Sequence, residues 1–132
     1  MDLQAIGNVL LIEDNPDHAD IVGGVVAEAL PEAELEWIDH GTRALERLQD
    51  PHRRLPDLVL VDLKLPGLGG VEVLRGCRAA ERTRGLRMIV LTSSDAEEDR
   101  RAAEASGADA YLLKAAPASA LGDRLRQTLE TL

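Results

Sequence analysis

Phenylalanine is missing from this 132-residue chain, and tryptophan and tyrosine occur once each, as Trp37 and Tyr111. A core must therefore be built from Leu, Val, Ile and Ala, and the aromatic platforms on which bases or flavins stack are nearly absent. The single cysteine, Cys77, excludes an intramolecular disulfide and fits a reducing compartment. Positive charge is scarce as well. Fifteen Lys and Arg stand against 24 Asp and Glu, and the resulting net charge of −9 repels phosphate backbones and anionic membranes. Direct nucleic-acid binding and membrane association are therefore disfavoured. No apolar run approaches the roughly 20 residues that span a bilayer, and Met1-Asp2-Leu3-Gln4 does not open a signal peptide. The expected location is the cytoplasm.

The length suits one domain, and a chain 45% apolar and 30% charged has the balance of a globular protein. Short apolar runs alternate with amphipathic segments throughout. Strands are predicted at 9–12, 34–38, 58–61, 88–91 and 108–113. Asn15 before Pro16 has the pattern of a helix N-cap with proline at the first helical position. The helix that follows has Ala19, Ile21, Val22, Val25, Val26, Ala29 and Leu30 as its expected core stripe, and Pro31 ends it. A second helix over 42–49 presents Ala44, Leu45 and Leu48. A third follows the Pro66/Gly67/Gly69/Gly70 loop with Val71, Val73, Leu74 and Cys77. The fourth lies between an Asp95/Glu98 capping box and a Gly107 stop, and its apolar residues are all alanine, so little side chain anchors it. The fifth, after Pro117, repeats leucine at 121, 125 and 129, a stripe more often buried than interfacial. Five β-α units joined by short connections predict an α/β fold with a doubly wound parallel sheet. Ligands of such sheets sit at the carboxyl ends of the strands.

Those ends are polar: Glu13-Asp14 after the first strand, Asp62 after the third, Thr92-Ser93-Ser94 at the fourth and Lys114 after the fifth. Three carboxylates in one crevice repel one another without a cation, and hard oxygen donors suit magnesium better than zinc. A lysine and a hydroxyl add the positive charge and donors that a transferring phosphoryl group needs, with Asp62 as nucleophile. His18, His40 and His52 are scattered and are assigned no chemistry. Cys77 reads as a small apolar filler, and the arginine pairs read as solvated ends and loops.

Val9-Leu10-Leu11-Ile12-Glu13-Asp14-Asn15-Pro16, Val61-Asp62-Leu63-Lys64-Leu65-Pro66, Leu91-Thr92-Ser93 and Tyr111-Leu112-Leu113-Lys114 together resemble the receiver domains of response regulators, across nearly the whole chain. The resemblance implies a flavodoxin-like (βα)5 fold with strand order 2-1-3-4-5 and a phosphoacceptor at Asp62. It implies Mg2+ held by Asp14 directly, by Glu13 through water, by Asp62 and by the backbone carbonyl of Lys64. It further implies that Lys114 pairs with a phosphoryl oxygen, that Thr92 swings inward to bond it, and that Tyr111 follows into the vacated space. Similar proteins carry proline directly after the lysine; here Ala115-Ala116-Pro117 follows, so a rearranged loop is expected.

As a receiver, residues 1–132 are expected to form a single domain without an output domain. The chain then acts through binding rather than as an enzyme, assisting only its own phosphorylation and dephosphorylation. The implied partners are a sensor histidine kinase or histidine phosphotransfer protein and a downstream protein, with a homodimer through the fourth and fifth helices as a further expectation. The Glu-Asp-Asn-Pro-Asp start of the first helix is similar to receivers paired with phytochrome-type kinases. A haloacid-dehalogenase-type hydrolase would need D-x-D where Lys64 stands, and a flavodoxin would need a phosphate loop and stacking aromatics. The remaining alternative is a receiver-like interaction module independent of phosphorylation.

Overall fold

The computed structural model describes residues 1–114 and 117–132; the loop expected to differ at Ala115 lies outside the described residues. Five strands, β1 (Asn8–Ile12), β2 (Glu34–Ile38), β3 (Leu58–Val61), β4 (Met88–Thr92) and β5 (Ala110–Leu113), alternate with five helices. These are α1 (Pro16–Ala29), α2 (Gly41–Gln49), α3 (Gly70–Ala79), α4 (Glu97–Ala105) and α5 (Ala118–Thr131). The strands form one sheet in the order β2-β1-β3-β4-β5, every neighbouring pair parallel. This is the flavodoxin-like arrangement that the motifs implied.

Side chains alternate across each strand, so one strand feeds two cores. Leu11, Leu58, Leu60, Ile89 and Leu91 pack against Val22, Val25 and Val26 of α1 and Leu121, Leu125 and Leu129 of α5. Leu10, Val59, Val61, Met88 and Val90 face Ala44 and Leu48 of α2, Val73, Leu74 and Cys77 of α3, and Ala103 of α4. Strands β1, β3 and β4 are buried on both faces, which explains their uninterrupted apolar sequence. β2 lies at an edge and leaves Leu35 and Trp37 partly exposed. The leucine stripe of α5 is wholly spent on the core. Among the described residues no helix is long and apolar enough to cross a membrane.

Three expectations are corrected. Ile21, assigned to the core stripe of α1, is 53% exposed, because it sits on the flank of the helix away from the Val22/Val25/Val26 seam. The Asp95/Glu98 capping box does not form. Ala96 occupies the N-cap without a side-chain bond; the Ser94 hydroxyl instead accepts from the Ala96 amide at 3.3 Å and donates to Asp99. β5 begins at Ala110 rather than residue 108, since Gly107 (φ +105°) turns the chain and the Ala108 amide is still bonded to Ala103 of α4. The expectation for α4 itself holds: of its side chains only Ala103 is buried.

Candidate functional site

The sheet delivers its polar strand ends to one edge. The Glu13 amide bonds the Ile38 carbonyl, the Asp62 amide bonds the Ile12 carbonyl, and the Lys114 amide bonds the Thr92 carbonyl, so ladder bonds hold the chain up to each functional residue. Asn15 then starts α1 abruptly, its Oδ1 accepting from the amides of Asp17 (2.9 Å) and His18 (3.3 Å). Glu13, Asp14, Asp62, Lys64 and Thr92 line a common cleft of about 320 Å3 together with His18, Ser93 and Ser94.

Glu13, Asp14 and Asp62 each offer a carboxylate oxygen within 4.8 Å of the others. Glu13 is buried, with Oε2 accepting from the Asn15 amide at 3.2 Å, while its backbone carbonyl accepts from Trp37 Nε1 at 2.7 Å. Asp62 Oδ1 accepts from the Leu63 amide at 2.7 Å, which leaves Oδ2 facing Lys114 Nζ at 2.9 Å. Lys114 Nζ also donates to Glu13 Oε1 and stands 3.2 Å from His18 Nδ1. Burial raises the Glu13 carboxyl above its ordinary value, and the hydrogen bond from Lys114 pulls in the opposite direction.

An all-oxygen acidic donor set in an open cleft fits a hard divalent cation, and one lysine does not neutralise three carboxylates. Lys64 also lines the cleft. Thr92 is buried at the cleft floor, its hydroxyl accepting from the Ser94 amide at 3.3 Å. Tyr111 is half-buried beside it, and its hydroxyl donates to the Ser94 carbonyl at 2.7 Å. Burial raises the Tyr111 phenol above its ordinary value, so it stays protonated as that donor.

The structure thus gathers Glu13, Asp14, Asp62, Lys64 and Thr92 around one cleft, sets Lys114 Nζ against Glu13 and Asp62, and adds His18, to which the sequence assigned no chemistry. The signal was present: an N-cap at Asn15 puts residue 18 in the first turn of α1, where side chains lean back over the strand end. A larger cavity of about 630 Å3 beside α2 has no comparable chemistry. Its central Arg47 is paired with Glu36 through Nε at 3.1 Å to both carboxylate oxygens.

A family profile described as response regulator receiver domain matches residues 9–126. The chain belongs to this family. It is 36% identical over 109 residues to the probable methanogenesis regulatory protein FilR2 of Methanothrix harundinacea, covering 80% of this chain and 70% of FilR2. It spans only 34% and 50% of two other curated regulators that it matches. The phosphorylated cyanobacterial phytochrome response regulator RcpA superposes with a TM-score of 0.83 at 25% identity, covering 96% of this chain and 93% of RcpA. The receiver domain of the sensor histidine kinase PA1611 of Pseudomonas aeruginosa, solved with magnesium in its active-site cleft, superposes with a TM-score of 0.79 at 26% identity, covering 96% of this chain and 99% of that one. As a receiver, the chain belongs to two-component signal transduction, and its acidic cluster is consistent with a divalent cation.

Proposed function

We propose that this receiver accepts a phosphoryl group on Asp62 from a sensor histidine kinase or histidine phosphotransfer protein, with Mg2+ as cofactor. The observation that carries it is the convergence of Glu13, Asp14 and Asp62 within 4.8 Å, with Lys114 Nζ 2.9 Å from Asp62 Oδ2. Asp14, Asp62 and the Lys64 carbonyl would hold the cation, with Glu13 through water; it supplies charge neutralisation for the acceptor and the incoming phosphoryl oxygens.

In the transfer, an oxygen of Asp62 forms a bond to phosphorus as the bond to the donor imidazole nitrogen breaks, and that nitrogen keeps the electron pair and takes a proton. Lys114 stabilises the charge on a phosphoryl oxygen, and the Thr92 hydroxyl turns to donate to another. The phosphoryl group adds about −1.5 to −2 charge beside a helix that buries only Ala103. Tyr111 then leaves the Ser94 carbonyl and moves toward the space given up by Thr92, and the surface made of α4, β5 and α5 changes shape for a downstream partner. Likeness to RcpA supports a phytochrome-type kinase as donor. Hydrolysis of the acyl phosphate ends the signal, so the chain assists its own reactions without turning over a separate substrate.

Incubation with Mg2+ and acetyl phosphate followed by intact mass measurement tests this. One phosphoryl group is expected on the wild type and none on Asp62→Asn. No gain in the wild type, or a gain that survives in Asp62→Asn, overturns the proposal.

A further inference from the structure

His18 lies outside the residues to which the proposed phosphotransfer assigns a role, yet it lines the cleft and meets Lys114 there. Its Nδ1 stands 3.2 Å from Lys114 Nζ and 3.8 Å from Glu13 Oε1. An ammonium carries three N–H donors and no acceptor. Those of Lys114 have three partners in the structure: Glu13 Oε1, Asp62 Oδ2 and His18 Nδ1. Facing an obligate donor, Nδ1 closes this contact only as an acceptor, in the tautomer that carries its proton on Nε2. A protonated ring would set two N–H donors against each other at 3.2 Å.

The three acceptors are not equivalent. Glu13 and Asp62 have side chains 1% and 11% exposed, whereas the His18 imidazole is 39% exposed at the mouth of the cleft. His18 is also fixed from its own side, because Asn15 Oδ1 caps its backbone amide. A rigid first helical turn thus offers one well-placed acceptor to a long, flexible side chain.

We infer that His18 is a positioning residue for phosphotransfer: it holds the Lys114 ammonium on Asp62, where the incoming phosphoryl oxygen meets it. The inference deepens the proposed function and rests on it for its kinetic part. It predicts the tautomer of the ring, a contribution to rate that runs through Lys114, and little contribution to the fold.

The test uses the full chain. Nitrogen-15 spectra of the His18 ring in metal-free protein at neutral pH should show Nδ1 as an unprotonated acceptor and Nε2 protonated, with the Nδ1 resonance moving in Lys114→Met. This arm needs no phosphotransfer, and an Nδ1-protonated ring or an Nδ1 signal indifferent to Lys114→Met overturns the inference. With acetyl phosphate and Mg2+, the limiting rate of Asp62 phosphorylation should fall about fivefold in His18→Ala, the scale of one hydrogen bond, with half-saturating acetyl phosphate unchanged. His18→Asn, whose Oδ1 sits near the place of Nδ1, should recover most of it, and His18→Ala should add nothing in the Lys114→Met background. A His18→Ala rate equal to wild type, or an undiminished effect without Lys114, overturns the inference while leaving phosphorylation of Asp62 intact. Absence of any labelling in the wild type strikes the proposed function instead, and the ring spectra still decide the role of His18.

Discussion

The hydroxyl of Tyr111 donates to the carbonyl of Ser94 at 2.7 Å, joining β5 to the loop that leads into α4. Few other contacts restrain that segment, since α4 buries only Ala103 and its arginines are engaged with its own Glu97 and Glu104. Tyr111→Phe keeps the ring and removes the bond, at an expected cost of about 1 kcal/mol. The loss should be local. Amide exchange measured by mass spectrometry is expected to quicken in residues 94–105 and to stay unchanged in β1 and β3; unchanged exchange in α4 would show that Tyr111 does not restrain it.

Close approach of backbones makes Gly70 sensitive. A Cβ there would lie 2.2 Å from the Asp62 carbonyl oxygen and 2.7 Å from Leu63 Cα, and the Gly70 amide already bonds the Leu63 carbonyl at 2.8 Å. Neither neighbour is a flexible side-chain tip, so the acceptor loop itself must move. Gly70→Ala is expected to cost about 1–3 kcal/mol in urea unfolding and to slow labelling of Asp62. Gly24→Ala is the control. Exposed in α1 with nothing within 4 Å of its Cβ, it should gain about 0.5–1 kcal/mol from helix propensity.

Much of this site was legible because its elements obey local rules. The run Leu58 to Val61 is apolar at every position, so a strand covered on both faces was its natural reading, and Asp62 followed as the first polar residue beyond the sheet. Asn15 and Pro16 likewise marked the start of α1 to the residue. What escaped was decided by tertiary competition. Ile21 satisfies helical spacing, yet only the packing of α5 against the Val25 side shows which flank of α1 is covered. Asp95 has the chemistry of a cap, but Ser94 reaches the Ala96 amide first. The Asn15 cap places His18 over the end of β1, but its partner Lys114 comes from 96 residues away, which only the tertiary fold decides.

Cys77 offers a probe of the second core. It is fully buried on α3, and burial pushes its thiol up to about 11. Because the thiolate is the nucleophile, alkylation by iodoacetamide at neutral pH should be negligible in the native protein. Its rate should climb with urea in step with loss of helical circular dichroism. Rapid labelling without denaturant would contradict the packing of α3 on β3 and β4.

Glu13 makes the stability of the metal-free protein depend on pH in an unusual direction. Burial raises its carboxyl above the ordinary 4.5, so between that value and the raised one the folded chain binds more protons at this position than the unfolded chain. The contribution is complete below 4.5 and is lost as pH rises through the folded value. Other carboxylates superpose their own slopes, which cancel when wild type is compared with Glu13→Gln. In EDTA, the stability of wild type minus that of Glu13→Gln should therefore fall as pH rises from about 4 to 8. Mg2+ should reverse that trend, because a cation binds the deprotonated cluster and stabilises the fold by about 2.7 kcal/mol at a hundredfold excess over Kd. Thermal unfolding midpoints across that range, with and without Mg2+, give both curves. A difference that rises with pH in EDTA would mean that the contact with Lys114 outweighs burial at Glu13. One that ignores Mg2+ would mean that these carboxylates do not share a cation.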